Sequence, residues 1–157
     1  MKVVLDTNVI LQIVIDESEC NTVWKRLLLG EYTLCFSNEI IFEYEEILGK
    51  FYDKKFAEDI VDTLMLLPNA EKINVYYKWN LIEGDSDDNK FVDCAYAAGA
   101  SYIVTEDKHF NILSKVEFPK MFTIKLNEFR NLLLEMQKER EKNIKNKETT
   151  QIRHRGI

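Results

Sequence analysis

Two aspartates stand directly after apolar runs that predict buried strands. Asp6 follows residues 2–5, and Asp107 lies just beyond residues 102–105. In an open α/β sheet, ligand sites form at the carboxyl ends of the strands. Both carboxylates are therefore expected at that one edge. An aspartate after a strand is also a common turn or cap residue, so neither acid defines a site alone.

A predicted helix over residues 88–98 carries two more acids. Apolar residues follow Asp88 at the positions that line one helical face, which places its carboxylate along the inward stripe. No basic residue is arranged to pair with it, and an unpaired buried carboxylate is costly. Asp93 lies about 140° around the same helix, nearer its polar side, and is a peripheral candidate. Asp85 and Asp87 are interpreted as caps or solvated charges.

Four glutamates lie on a predicted helix over residues 38–48. Periodicity turns Glu39 and Glu46 toward solvent and leaves Glu43 and Glu45 at the two borders of the buried face. Spacing alone does not choose between these two, and a solvated charge is the default for either.

Carboxylates that converge without counter-charges repel one another unless a cation neutralises them. A ligand set made of oxygens, without cysteine or histidine, indicates a hard ion, Mg²⁺ or Mn²⁺. Such clusters activate water against phosphodiesters, in some enzymes with two ions about 3.5–4 Å apart. The ion also turns an acidic pocket into one that accepts phosphate.

Other catalytic chemistries lack their motifs in this sequence. It contains no GxSxG, HExxH, Walker or GxGxxG pattern. The two histidines are His109 and His154, the second in the C-terminal region. A histidine-dependent triad or a two-histidine ribonuclease is therefore not indicated.

The elements that must position the acids alternate between strands and helices. Short apolar runs predict strands over residues 2–5, 32–36, 72–77, 102–105 and 122–125. Helical patterns are found over residues 8–15, 17–30, 38–48, 56–67 and 88–98, and again from residue 127. This alternation is typical of a parallel sheet covered on both faces. The fold class is α/β.

Composition bounds the rest. The 157 residues make one ordinary domain, and 46% of them are hydrophobic, which excludes disorder for most of the chain. The longest apolar stretch, residues 9–15, is too short to span a bilayer. Cys20, Cys35 and Cys94 are widely spaced and odd in number, which favours reduced thiols in a cytoplasmic protein.

The charge divides the chain into two parts. Seven basic and three acidic residues give residues 138–157 a charge of +4, so residues 1–137 carry −10 of the net −6. Residues 1–137 form the predicted domain. Residues 138–157 lose the apolar helical face and are expected to be a basic tail, either an exposed helical extension or disordered.

Four short motifs occur in order along residues 1–130. They are Val4-Leu5-Asp6-Thr7-Asn8-Val9, Phe42-Glu43-Tyr44, Asp85-Ser86-Asp87-Asp88-Asn89-Lys90-Phe91 and Val104-Thr105-Glu106-Asp107-Lys108. Together they resemble the PIN-domain nucleases, and among these the PIN-family toxin components of bacterial toxin–antitoxin systems. Ser86 and Glu106 depart from the residues usual in this branch, Pro and Gly, and neither departure removes an expected ligand.

The resemblance implies a three-layer α/β/α sandwich with a central parallel sheet. It also implies a divalent-metal site made of four catalytic acids, and it selects Glu43 over Glu45. These acids are Asp6, Glu43, Asp88 and Asp107. Asp93 would hold a second ion or a water in the outer shell, and Asn8 and Thr105 would orient the carboxylates.

The implied activity is hydrolysis of single-stranded RNA, leaving a 5′-phosphate and a 3′-hydroxyl. The implied cofactor is Mg²⁺ or Mn²⁺, and the implied partners are RNA, an antitoxin protein and a second copy of the chain, with no membrane. The acidic body predicts weak non-specific RNA affinity, which the basic tail would assist. A solvated terminus is the simpler interpretation of that tail.

Two alternative functions compete with this one. A haloacid-dehalogenase-like phosphatase would resemble DxD after the first strand, but position 8 is Asn. A non-catalytic RNA- or protein-binding module of PIN-like fold is the other alternative. It is disfavoured because all four acids are retained.

Overall fold

The computed structural model describes residues 1–15 and 21–155, with side chains described as far as residue 148. Five strands and six α-helices alternate along these residues. The strands are β1 Lys2–Leu5, β2 Thr33–Phe36, β3 Ala70–Lys72, β4 Tyr102–Val104 and β5 Thr123–Ile124. The helices are α1 Thr7–Ile15, α2 Asn21–Leu28, α3 Asn38–Phe51, α4 Lys54–Leu66, α5 Asn89–Ala98 and α6 Leu126–Arg155. Two 3₁₀ segments, Ser86–Asp88 and Lys108–Lys115, flank the site described below.

The strands form one parallel sheet in the order β3-β2-β1-β4-β5. The first strand in the sequence is therefore the central one, with β2 and β4 on its two sides. The chain continues this pairing past the end of β1, where the Asp6 N–H donates to the Val104 carbonyl at 3.0 Å. This topology places Asp6 at the middle of the carboxyl edge, where the strand order reverses direction.

Helices cover both faces of the sheet. Side chains alternate between the faces along a strand, yet Val3, Val4 and Leu5 are all fully buried. The same holds for consecutive residues of β2 and β4. Helix α5 packs against β1, β2 and β4, and α3 packs against α1 and α4. The expected three-layer α/β/α sandwich is confirmed.

Local signals set several helix ends where the sequence predicts them. Ser37 caps α3 by accepting a hydrogen bond from the Ile40 N–H at 3.3 Å. Helix α5 ends at Gly99, whose φ of 62° lies in the left-handed region that glycine adopts without strain. The caps fix where each helix starts or stops over the sheet edge.

One predicted strand is wrong by several residues. The sequence predicts a short strand over residues 72–77, but β3 ends at Lys72 and residues 73–82 are irregular. The Ile73 N–H still donates to the Phe36 carbonyl at 2.8 Å, and the chain then leaves the sheet edge. Farther along this segment, the Trp79 N–H donates to the carboxylate of Asp93 on α5 at 2.9 Å.

The predicted helix over residues 17–30 is confirmed where it can be compared. Helix α2 covers Asn21–Leu28 and is followed by Gly30 with a φ of 74°. Cys20 and the start of the predicted helix lie outside the described residues. Cys35 and Cys94 are buried free thiols, as expected.

Helix α6 reaches far beyond the part that packs on the core. Phe129 and Leu133 are buried and Met136 is partly buried, as the pattern predicts. The helix continues to Arg155, and every side chain from residue 138 to 148 is exposed. The described part of the tail is helical up to Arg155. Over the described part of the chain, no helix combines the length and apolar character that crossing a membrane requires.

Candidate metal centre

Asp6 is held at the centre of the sheet edge by a hydroxyl from the neighbouring strand. The Thr105 Oγ1 donates to Asp6 Oδ2 at 2.8 Å, and both residues are buried. Burial raises the pKa of the Asp6 carboxyl group, the hydrogen bond from Thr105 opposes this shift, and the charge of Asp107 adds to it. The backbone N–H of Asn8 also lowers this pKa, but the Asn8 side chain is exposed. Thr105 thus holds the Asp6 carboxylate through its hydroxyl, whereas the contribution of Asn8 comes from its backbone.

The same hydroxyl positions the second aspartate. The backbone N–H of Asp107 donates to Thr105 Oγ1 at 3.0 Å, so one threonine bridges the two acids of adjacent strands. The Asp107 Oδ1 caps the following 3₁₀ segment by accepting the His109 N–H at 2.8 Å. Its position is therefore fixed from both sides.

Asp88 faces this pair from the 3₁₀ turn before α5. Burial raises its pKa to about 6, with further contributions from the negative charges of Asp85, Asp107 and Asp6. The side chain is 16% exposed. Its Oδ2 is fully enclosed and makes no hydrogen bond. The His109 Nδ1 lies 3.5 Å from this oxygen.

Glu43 extends toward the site from α3 and, unlike the three aspartates, is paired with a lysine. Its Oε1 accepts a hydrogen bond from the Thr7 hydroxyl, and its Oε2 pairs with the Lys90 ammonium group. The Lys90 side chain is only 6% exposed and also pairs with Asp87. Although burial lowers the pKa of Lys90, its hydrogen bonds to Asp87 and Glu43 raise it overall. Glu43 is thus already neutralised by an ammonium group.

Asp93 is placed away from the other acids. It is 3% exposed, although the sequence puts it near the polar side of α5, because the irregular segment after β3 packs over that side. Its carboxylate accepts the Trp79 N–H, and burial raises its pKa while Lys78 lowers it. It also lines a cavity of about 360 Å³. Its hydrogen bond to Trp79 gives it a structural partner of its own.

Two residues near Asp88 are not among the predicted ligands. Asp85, Asp88 and His109 each offer one ligand atom, and these atoms lie within 4.8 Å of one another. His109 also lies 3.3 Å from Asp107 through its Nδ1. Asp85 sits three residues before Asp88 and His109 two residues after Asp107, so short sequence distance from predicted ligands is the signal that points to them.

The donor set fits a divalent cation. In the described part of the chain, no lysine or arginine is paired with the carboxylates of Asp6, Asp88 or Asp107. Each of the first two has a raised pKa that a neighbouring carboxylate helps to cause. A cation would relieve this repulsion and give the unpartnered Asp88 Oδ2 a ligand bond.

Two comparisons with known proteins concern the family and the fold of the chain. The chain matches the sequence profile described as the PIN domain over residues 2–109. It is similar in structure to a chain of VapBC2 from Rickettsia felis, whose crystal structure contains a DNA fragment from their promoter. That likeness has a TM-score of 0.55 and 18% sequence identity, and it covers 80% of this chain and 98% of that chain. No curated protein sequence matches the chain.

The profile match begins at β1 and ends at His109, so it contains every acid of the sheet edge. It spans well over half of the 157 residues. On this evidence, the chain belongs to the PIN domain family.

Proposed function

We propose that this chain is a divalent-metal-dependent endoribonuclease that hydrolyses single-stranded RNA, and that it acts as the toxin of a toxin–antitoxin pair. One observation carries the proposal: three carboxylates converge at the carboxyl edge of the sheet without a paired lysine or arginine in the described residues. These are Asp6, Asp88 and Asp107. Membership of the PIN domain family supports the nuclease class.

The three aspartates would hold the ion, Mg²⁺ or Mn²⁺, and Glu43 would complete the site from α3. When bound, such an ion supplies an activated water and polarises the scissile phosphate. Thr105 links the Asp6 carboxylate to the backbone of Asp107, because its hydroxyl donates to Asp6 Oδ2 and accepts the Asp107 N–H. Hydrolysis of the P–O3′ bond by water would leave a 5′-phosphate and a 3′-hydroxyl.

The role of Glu43 follows from its two partners. Thr7 and Lys90 already contact both of its oxygens, so Glu43 would bind the ion with its carboxylate held in one orientation. Lys90 would hold the Glu43 carboxylate in place and limit the negative charge that RNA meets at this edge. Asp93 is proposed only for the outer shell, since it is bonded to the Trp79 backbone.

Single-stranded RNA fits an edge pocket better than a rigid duplex because its backbone can bend into the site and its bases can be splayed apart. The exposed basic side chains of α6 would contribute affinity through release of counterions. The tail of residues 138–157 is therefore proposed as an RNA-assisting extension of the domain formed by residues 1–137.

The proposed partners are an antitoxin chain and a second copy of the protein, in the cytoplasm. The structural likeness to a chain of VapBC2, solved bound to promoter DNA, supports the assignment of a protein partner. Co-expression of the chain with the product of its neighbouring gene, followed by size-exclusion chromatography with light scattering, tests this part.

The activity is tested by substituting Asp6. We expect Asp6→Asn to lower Mg²⁺-dependent cleavage of a single-stranded RNA at least about 100-fold, because loss of groups that only orient metal ligands already costs about 10- to 100-fold. The exposed Asp62 on α4 offers a matched control, since Asp62→Asn removes the same charge away from the sheet edge. Gel assays with a 5′-labelled RNA measure the rate.

Unchanged cleavage by the Asp6 variant would contradict the proposal and leave the non-catalytic binding module in its place. Hydrolysis of small phosphate esters instead of RNA would favour the phosphatase. The structure gives that alternative little support, because the Asn8 side chain is exposed on α1.

A further inference from the structure

We propose that the cavity lined by Lys90 and Asp93 is a base-recognition pocket, which takes a guanine of the single-stranded RNA near the cleaved phosphodiester bond, and that Asp93 selects this base. The inference rests on the proposed ribonuclease function and gives it a sequence preference. Among the described residues, Asp93 shares no metal-sized cluster with the other acids, so its carboxylate is available for a different role.

The cavity opens next to the candidate metal centre. Two segments that line it, residues 37–39 and 73–76, follow the carboxyl ends of β2 and β3, and α5 contributes Lys90 and Asp93. Lys90 belongs to both places, because its side chain lines the cavity while its ammonium group pairs with Glu43. A base in the cavity is therefore separated from the metal centre by a single side chain.

The size and the charge balance of the cavity suit a neutral ligand. Its volume of about 360 Å³ falls in the range of small-molecule sites, about 300–1,000 Å³. Two acidic and two basic side chains line it, namely Glu39, Asp93, Lys78 and Lys90. The Lys78 Nζ lies 3.5 Å from a Glu39 oxygen, and Lys90 is paired with carboxylates outside the cavity. This balance disfavours both an anion and a cation such as the arginine of a partner protein.

Asp93 presents a buried acceptor to this cavity. The residue is 3% exposed, and its Oδ1 accepts the Trp79 N–H at 2.9 Å. No side chain or backbone N–H of the described residues donates to its Oδ2. A polar group at this depth is costly unless it is hydrogen-bonded. A ligand that donates hydrogen bonds inside the cavity supplies the partner that the fold does not provide.

The Watson–Crick edge of guanine complements this carboxylate. An ionised carboxylate only accepts hydrogen bonds, and guanine presents two adjacent donors, N1–H and the N2 amino group. Adenine and cytosine place a ring-nitrogen acceptor beside their amino group, and uracil flanks its N–H with two carbonyl oxygens. The two Asp93 oxygens can accept both guanine donors, because Oδ1 keeps a second lone pair beside its bond to Trp79. The other bases each bring an acceptor against the carboxylate.

An exposed tyrosine on the cavity lining offers the second kind of contact that a base requires. Tyr76 lines the cavity and is 91% exposed. Single-stranded RNA is recognised through bases that are splayed out, stacked on aromatic rings and hydrogen-bonded along their Watson–Crick edges. Asp93 provides the hydrogen-bond acceptor and Tyr76 the ring, which a side-chain rotation brings against the face of the base.

This role of Asp93 differs from one in the outer shell of the ion. A residue that only orients water around the ion affects the cleavage of every RNA equally, whereas a base-selecting residue changes the ratio between RNAs. Asp93→Asn separates the two roles. It keeps a carbonyl oxygen for the Trp79 N–H and replaces the other oxygen by an NH₂ group, which donates instead of accepting.

Titration of the metal-free full chain with mononucleotides tests the inference. The backbone amide signal of Trp79, whose N–H is bonded to Asp93, reports occupancy of the cavity in ¹⁵N–¹H NMR spectra. The probes are GMP, IMP and AMP at millimolar concentration, and IMP is the matched probe because it lacks only the N2 amino group of GMP. We expect GMP to shift the Trp79 signal and to bind at least about 5-fold more tightly than IMP or AMP, as is typical when a base contact is lost.

Two variants resolve the contributions. Asp93→Asn should abolish the preference for GMP over IMP, while the spectrum shows that the chain is still folded. Tyr76→Ala should weaken GMP and IMP binding alike, by about 5-fold or more, because loss of an aromatic ring removes stacking without regard to the base edge. Asp62→Asn and Tyr52→Ala are the matched controls, since both residues are exposed and lie outside the cavity. They should leave both affinities unchanged.

Three outcomes would overturn the inference. The first is an unshifted Trp79 signal at millimolar GMP, and the second is equal affinity of the wild-type chain for GMP and IMP. The third is a Trp79 shift caused by an acetylated arginine amide and not by GMP, which would assign the cavity to a side chain of a partner protein.

Failure of the proposed function gives a different result. These titrations contain neither metal nor RNA, so a chain without nuclease activity still shows whether Asp93 selects guanine. A chain that cleaves RNA with Mg²⁺ at positions unrelated to guanosine, and binds GMP and IMP equally, keeps the proposed function and loses only this inference.

Discussion

The two sides of the sheet edge neutralise their carboxylates in opposite ways. On the α3 side, Glu43 has a buried ammonium partner in Lys90, and its other oxygen accepts from Thr7. On the side of β1 and β4, Asp6 and Asp88 face other carboxylates and their pKa values are raised. A protein ammonium group neutralises the first side, whereas the carboxylates of the second side have no lysine or arginine partner among the described residues.

This difference separates two roles that an acidic cluster presents together. A carboxylate with a protein cation is stabilised when the protein folds alone, so its charge does not report a missing ligand. A carboxylate surrounded by others lowers the stability of the metal-free fold and raises it once an ion binds. Substitutions on the two sides should therefore change stability in opposite directions.

The largest effect is expected at Asp88. The variant Asp88→Asn should lower RNA cleavage at least about 100-fold and abolish the rise in unfolding temperature that Mg²⁺ or Mn²⁺ causes. In EDTA near neutral pH the same variant should be more stable than wild type, because it removes one of the repelling charges. Thermal unfolding in EDTA and in millimolar metal measures both stability effects.

The pH dependence of stability in the metal-free protein is a second test of whether the Asp88 charge destabilises the fold. The folded pKa of Asp88 is about 6 and its ordinary value is 3.8, so the folded state binds more protons between these values. The stability that protonated Asp88 contributes to the folded state is fully present below about pH 4 and is lost as the pH rises through about 6. Stability that does not fall across this window, relative to Asp88→Asn, would contradict the comparison.

The opposite response is expected at Lys90. Lys90→Met keeps the length of the buried stem but leaves the Glu43 carboxylate, 24% exposed, without its cation. We expect a loss of about 2 kcal/mol in the free energy of unfolding, less than for a fully buried broken pair. Urea unfolding in EDTA measures it.

The double variant Lys90→Met with Glu43→Gln is the control for that prediction. It removes both charges, so most of the lost stability should return. If the double variant is no more stable than the single one, the cost belongs to packing of the lysine stem, and the electrostatic contrast between the two sides fails.

A smaller effect is expected at the threonine that bridges the aspartates. Thr105→Val keeps the buried shape and removes the hydroxyl that donates to Asp6 and accepts from Asp107. We expect about 10-fold weaker Mg²⁺ binding, which is typical when a group that orients a ligand is lost. Calorimetric titration measures it, and Thr63→Val, whose hydroxyl bonds to the backbone of its own helix, is the matched control.

The smallest effect is expected on the exposed part of α6. Replacing Lys138, Arg140 and Lys142 by Gln should weaken RNA binding modestly at physiological salt. It should also reduce the slope of log Kd against log salt by about 0.7 for each RNA phosphate that the tail no longer neutralises. The control set is Lys50, Lys54 and Lys55, which already form ion pairs on α3 and α4. Equal slopes in both sets would make the tail a solvated terminus.

Much of the fold is predictable from the sequence because fully buried strands leave a plain signal. The apolar runs at β1, β2 and β4 are short, β-branched or aromatic, and followed by turn or cap residues such as Ser37. The sequence misplaces β3 because the chain leaves the sheet after Ile73, and residues 73–82 are irregular. There the backbone makes the Trp79–Asp93 hydrogen bond, whose partners are 14 residues apart and which local sequence pattern does not reveal.

The sequence predicts which acids lie near the sheet edge, but it does not predict which of them pair with a lysine. Asp6 and Asp107 follow from strand ends, and periodicity directs Asp88 inward. Periodicity leaves Glu43 and Glu45 equal, because both lie at borders of the buried face. The pairing of Lys90 with Glu43 depends on how α5 sits against α3, which a single sequence does not encode locally.

The order of the strands also has a consequence for timing. Strand β1 leaves the ribosome first but occupies the centre of the sheet, and its neighbour β4, which begins at Tyr102, is made much later. Until β4 and the 3₁₀ segment after it are synthesised, Asp6 has neither the Thr105 hydroxyl nor Asp107 beside it. An incomplete chain therefore lacks part of the carboxylate group at this edge, and any chemistry that depends on the whole group begins only after β4 has been made.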